Sequence, residues 1–89
     1  MGPHRKSAEQ RVEEFLISRG AHGATDPEMQ LALGMGGSTQ RPRRVKLQEK
    51  DRALKVEVDG RLWKRDGCTV WVALRFHSEA SLNFARNTR

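Results

Sequence analysis

The apolar positions of this 89-residue chain change their spacing along its length. Ala8, Val12, Phe15 and Leu16 fall at i, i+4, i+7 and i+8, and the aliphatic stem of Arg19 extends the stripe. That spacing predicts an amphipathic helix over 8–19. Ser7 and Gln10 form a capping-box pattern in front of it, and Gly20 stands where a helix stops. A second box, T-D-P-E, begins at Thr25. Asp26 suits the positive end of a helix, and Pro27 sits in the first turn, where its missing N–H costs nothing. Ala24 and Met29 occupy staple positions, and Met29, Ala32 and Leu33 share a face, so a short helix is predicted over 26–33. Gly34 suits the left-handed residue that ends it. Either Ser38 or Thr39 can cap a third helix. Thr39 fits better, because Pro42 then falls at N3 and no intrahelical bond is lost. The prediction is a helix over about 39–50 with an irregular first turn, Leu47 turned to the core and Val45 off it.

From Ala53 the period becomes two. Leu54, Val56 and Val58 alternate with polar residues, which predicts a strand over 54–59. C-T-V-W-V-A-L-R-F predicts a second strand over 68–76, with Val70, Val72, Leu74 and Phe76 on its apolar face and Trp71 opposite. On that side Trp71 either covers a second small cluster with the tail or marks a partner surface. The two strands form a hairpin with a basic connector at 60–67. Asp59-Gly60 and Asp66-Gly67 are turn signals, and one alternative has Asp59-Gly60 closing a two-residue hairpin, with 61–64 as a strand of its own. Residues 1–7 are expected to be flexible, and 77–89 a tail or a short helix from Ser78. No internal repeat is visible.

Charge sharpens this picture. The net charge is +6, and ten bases against four acids between Arg41 and Arg65 account for all of it. A basic stretch so concentrated suits a polyanion. One cysteine, Cys68, excludes an intrachain disulfide framework and fits a reducing compartment. No apolar run approaches the roughly 18 residues of a membrane span, and the first ten residues lack a signal-peptide core. His4, His22 and His77 have no metal-ligand spacing. No catalytic constellation is legible, so neither an enzyme nor a cofactor is expected.

The stretch G-M-G-G-S-T-Q-R-P-R-R, residues 34–44, carries the functional question. A phosphate-binding P-loop needs Gly-Lys five and six residues after its first glycine, and here Thr39 and Gln40 stand there. A dinucleotide fingerprint fails at Thr39 as well and lacks a βαβ frame. The remaining reading is a tight turn between two helices, the second of them basic.

The order helix, helix, turn, basic helix, hairpin resembles the winged helix-turn-helix DNA-binding domains over about 8–76. Its densest part, TDPEMQLALGMGGSTQRPRR, looks like a segment of small helix-turn-helix proteins of phages and their bacterial hosts. The resemblance implies an α+β fold, a three-helix winged helix-turn-helix with a C-terminal β-hairpin wing. Helix 26–33 would be the positioning helix, 39–50 the recognition helix and the hairpin the wing. The chain departs from the family in having few apolar residues in the recognition helix, and Lys50-Asp51-Arg52 where a glycine is common.

The implied partner is double-stranded DNA, bound by a small regulator in the cytoplasm of a bacterial or phage-infected cell, with a homodimer left open. In such a fold the N-terminal part of the recognition helix enters the major groove. Gln40 and Arg41 are the expected base readers, with Arg44 behind them. Ser38 and Thr39 suit a phosphate at the helix start. Arg43 and Lys46 face the backbone. Arg61, Lys64 and Arg65 lie on the wing, beside the adjacent backbone or minor groove. The alternatives are a basic docking module for an acidic protein and an RNA binder.

Overall fold

The computed structural model describes residues 5–87; the expectation for 1–4 and for the last two residues lies outside them. Helix α1 spans Ala8–Arg19 and α2 spans Asp26–Leu33, both with the expected ends. Both capping boxes are formed: the Ser7 and Thr25 side chains accept from the N3 backbone N–H, and Gln10 and Glu28 reach back to the cap backbone. Each box satisfies two otherwise orphaned donors, and that local chemistry fixes the starts. A 3₁₀ turn, Gly20–His22, links the two helices, and Gly34 ends α2 in the left-handed conformation.

Helix α3 spans Gly37–Glu49, so it begins two residues before the expected start. Neither Ser38 nor Thr39 is the cap. Gly36 is, and its carbonyl accepts from the N–H of Thr39 at 3.1 Å and of Gln40 at 2.9 Å. Pro42 is thereby the sixth helical residue rather than the third. It lies inside the helix, where a proline removes one backbone bond and crowds the preceding turn. Pro42→Ala is expected to raise stability by about 1–3 kcal/mol, seen as a higher urea midpoint with an unchanged m-value. The far end of α3 is closed without a glycine. Asp51 takes a φ of 58°, and the N–H of Arg52 reaches the Leu47 carbonyl at 2.7 Å while that of Asp51 reaches Gln48 at 3.0 Å. This is the Schellman arrangement, with an aspartate in the glycine position.

The strand region departs more from expectation. Among the described residues there are three short antiparallel ladders instead of one hairpin. β1 (Ala53–Lys55) pairs with β6 (Trp71–Ala73), in the register Ala53↔Ala73. β2 (Glu57–Val58) pairs with β3 (Arg61–Leu62), and β4 (Lys64–Arg65) pairs with β5 (Cys68–Thr69). Asp59-Gly60 and Asp66-Gly67 both have positive φ at both residues, as a type I′ two-residue hairpin requires. The expected connector is therefore itself structured, and the alternative with a tight turn at Asp59-Gly60 describes it better. Trp63 donates to the Val56 carbonyl at 2.8 Å, and Val70 donates to Trp63 at 3.1 Å, which knits the ladders where strands change partner. Those three residues are seven apart, so the two hairpins repeat one seven-residue spacing. The last strand stops at Ala73. A 3₁₀ turn, Leu74–Phe76, leads into α4, His77–Asn87.

β6 lies between two apolar clusters, and this reverses the expectation for Trp71. Trp71 is 5% exposed and sits in the main core with Val12, Leu16, Met29, Met35, Leu47, Ala53 and Ala73. Val72, on the other face, packs with Val56 and with Ala80 of α4, bordered by Trp63 and Phe84. The Trp63 and Phe84 rings stack at 5.9 Å. The tail helix thus covers the side that a half-buried strand would leave wet. Leu47 faces the core as expected, and Val45 is exposed.

Candidate nucleic-acid interface

The basic helix holds its place by polar contacts. Gln40, Arg44 and Leu47 lie at i, i+4 and i+7, on the face of α3 turned inward. Gln40 is fully buried. Its Nε2 donates to Asp26 Oδ1 at 2.9 Å, and its Oε1 accepts from Gln30 Nε2 at 3.0 Å. Arg44 grips the same carboxylate through two bonds, Nε to Oδ1 at 3.0 Å and Nη2 to Oδ2 at 2.7 Å. Its Nη1 donates to Gln48 Oε1 at 3.0 Å, and its guanidinium lies 4.3 Å from the centre of the Trp71 ring. Burial alone would push the Asp26 carboxyl up, but the bonds from Arg44 and Gln40 outweigh it and hold it below the usual range. The leucines that α3 lacks are replaced by a satisfied polar network and an arginine guanidinium lying over a tryptophan ring. Gln40 and Arg44, expected beside the base edges, are spent on this scaffold.

Arg65 has a similar use. It holds Glu28 with Nε and Nη2, both at 2.8 Å, and donates to the His22 carbonyl at 3.1 Å and the Gly23 carbonyl at 3.2 Å. Arg19 joins the same carboxylate at 3.4 Å. The second hairpin is thereby pinned to the start of α2. The hydrogen bond from Arg65, opposed by burial, lowers the Glu28 pKa from 4.5 to about 2. A depressed carboxylate contributes stability above its unfolded pKa and loses it as pH falls through the folded value. Stability should therefore decline between about pH 4.5 and pH 2, with Asp26 acting in the same direction. Glu28→Gln is expected to cost roughly 1–2 kcal/mol at pH 7, since the pair is partly solvated, and to flatten that acid limb. Urea unfolding from pH 2 to 7 measures both; a limb as steep as in the parent would contradict it.

The other expected site residues reach solvent. Ser38, Thr39, Arg41, Arg43 and Lys46 are exposed on α3, and Arg61 and Lys64 on the hairpins. Arg43, Lys46 and Lys64 make no ion pair among the described residues. Arg41 is 64% exposed and approaches Asp26 only at 4.0 Å. At the end of the helix Lys50 pairs with Glu9 at 2.6 Å, and Arg52 reaches Glu13 at 3.4 Å. The second hairpin borders α3 directly: a shallow cavity of about 150 Å³ is lined by Asp26, Pro27, Arg41, Arg44, Cys68, Thr69 and Trp71. Sequence reasoning missed Asp26, Gln30 and Trp71 as the partners that set α3. The available signal was the Gln40, Arg44, Leu47 spacing in a helix short of leucines.

No family model matches this chain, and no curated protein shows significant similarity to it. No helix among the described residues is long and apolar enough to cross a membrane.

Proposed function

We propose that this chain is a duplex-DNA-binding domain of the winged helix-turn-helix type, with α3 as the recognition helix and the β4–β5 hairpin as its wing. The observation that carries this reading is the sorting of the bases on and near α3. Arg44 and Arg65 are neutralised by buried or half-buried carboxylates, and Lys50 and Arg52 by α1. Arg43, Lys46 and Lys64 remain turned to water with no ion pair among the described residues, and Arg41, 64% exposed, approaches Asp26 only at 4.0 Å. A major groove accepts one helix, and such residues meet the phosphates on either side of it. Glu49, exposed near the C-terminal end of α3, disfavours deep entry there, so the helix enters by its first turns. The role this reading carries is that of a transcriptional or phage regulator.

The test is titration of a fluorescent random-sequence duplex at two or more salt concentrations. With about four to five phosphates met by Arg41, Arg43, Lys46, Lys64 and Arg61, log K should fall against log salt with a slope of roughly −4. Reversing Arg43 and Lys46 together to Glu should weaken binding more than about tenfold and make the slope shallower. No duplex binding at low salt would sink the proposal and turn attention to an acidic protein partner. Preference for an RNA duplex, whose major groove is too narrow for a helix, would refute groove reading.

A further inference from the structure

The outward ridge of α3 carries little charge. Gln40, Arg44 and Leu47 face inward, and Ser38, Pro42 and Val45 are each two residues out of step with them, a rotation of about 200°. All three are exposed, Val45 at 39%. Glu49 continues the same line. The cations flank this ridge: Arg43 and Lys46 on one side with Thr39, and Arg41 on the other. A helix lying in a groove points its ridge at the floor and its flanks at the two phosphate walls. On this arrangement the arginines meet phosphates, and a hydroxyl, a proline ring and a valine meet the base edges. The apolar group that a major groove offers at its floor is the C5-methyl of thymine.

A second observation points the same way. Pro42 stands inside α3, on the exposed side, removes a backbone bond, and belongs to neither apolar cluster of the described residues. A residue that breaks a local rule with no return in packing is most simply explained by what it contacts outside the fold.

We propose that Pro42 and Val45 form an apolar ridge that reads thymine methyl groups, and that the arginines of α3 position the helix rather than select sequence. This rests on the DNA-binding reading and specifies it. The experiment enriches binding sites from a random-core duplex library and remakes the enriched duplex with deoxyuridine in place of single thymines, which removes only the methyl group. The parent protein should lose roughly three- to tenfold in affinity at one or two positions. Val45→Ala should bind the thymine and deoxyuridine duplexes nearly alike. Pro42→Ala should also lose discrimination while its thermal midpoint rises, so damage to the fold cannot account for the loss. Enriched sites that bind equally with and without the methyl groups would overturn the inference and leave DNA binding standing. So would variants that keep the parent's ratio. Failure to enrich any duplex would overturn both.

Discussion

Gly23→Ala should destabilise this domain by about 3–5 kcal/mol, enough to leave a small protein largely unfolded. Gly23 is buried, with φ 63° and ψ −167°, a region that side chains other than glycine's do not tolerate. A Cβ placed there would lie 2.4 Å from the Trp71 carbonyl oxygen and 2.8 Å from a methyl of both Val70 and Val72. None of these can retreat cheaply. The Trp71 oxygen accepts from Ala24 N–H at 2.9 Å, and Trp71 N–H returns a bond to Ala24 at 2.8 Å. This bridge ties the segment before α2 to β6, so a shift of one breaks the other. Gly34 is the internal control. Its φ is 64°, but nothing lies within 4 Å of a Cβ built there. Gly34→Ala should cost only about 1 kcal/mol, the penalty of a left-handed backbone. Urea midpoints for the two variants decide the matter. Similar losses would mean that the close approach to Trp71 is unimportant.

The same contrast between local and distant causes explains what was legible in the sequence. The limits of α1 and α2 could be read because each capping box lies within four consecutive residues. The start of α3 could not. It lies at Gly36, where Gln40 faces inward to reach Asp26, fourteen residues earlier, and the local caps offered by Ser38 and Thr39 go unused. The two Asp-Gly turns were visible, yet ladders of two residue pairs are too short to display a period of two, so 60–67 read as a connector. Alternation placed Trp71 and Val72 on opposite faces correctly, but it carried no information on which face α4 would cover. At the site, the run of bases was plain and its division was not. Arg43 and Arg44 are neighbours of identical chemistry. Only the fold shows one exposed to solvent and the other bound to a carboxylate and an indole. The described residues form an α+β domain with four α-helices and small antiparallel strand pairs, in agreement with the expected class.

Asp26→Ala is expected to cost about 3 kcal/mol, and to do so through groups that remain in place. The carboxylate is 14% exposed and accepts three bonds from two side chains, Gln40 and Arg44. Without it, Arg44 keeps Gln48 and the face of Trp71 but loses its counter-charge, and the fully buried Gln40 amide loses its only oxygen acceptor among the described residues. The start of α2 also loses a negative charge at its positive end, a smaller effect. Because the damage is an unpaired cation, removing that cation should recover part of it. Asp26→Ala combined with Arg44→Met should be less destabilised than the sum of the single variants, by about 1–2 kcal/mol in a double-mutant cycle. Strict additivity would show that the two side chains do not couple and would contradict this account. The cycle also bears on function. Asp26 touches α3 from the inside, so its loss should weaken duplex binding by disturbing the seat of the helix, with every exposed cation intact. Arg43→Ala should do the reverse, weakening binding at unchanged stability. A protein in which both changes lowered affinity and stability in proportion would have no separable scaffold and contact face. The division of the arginines argued from their partners would then fail.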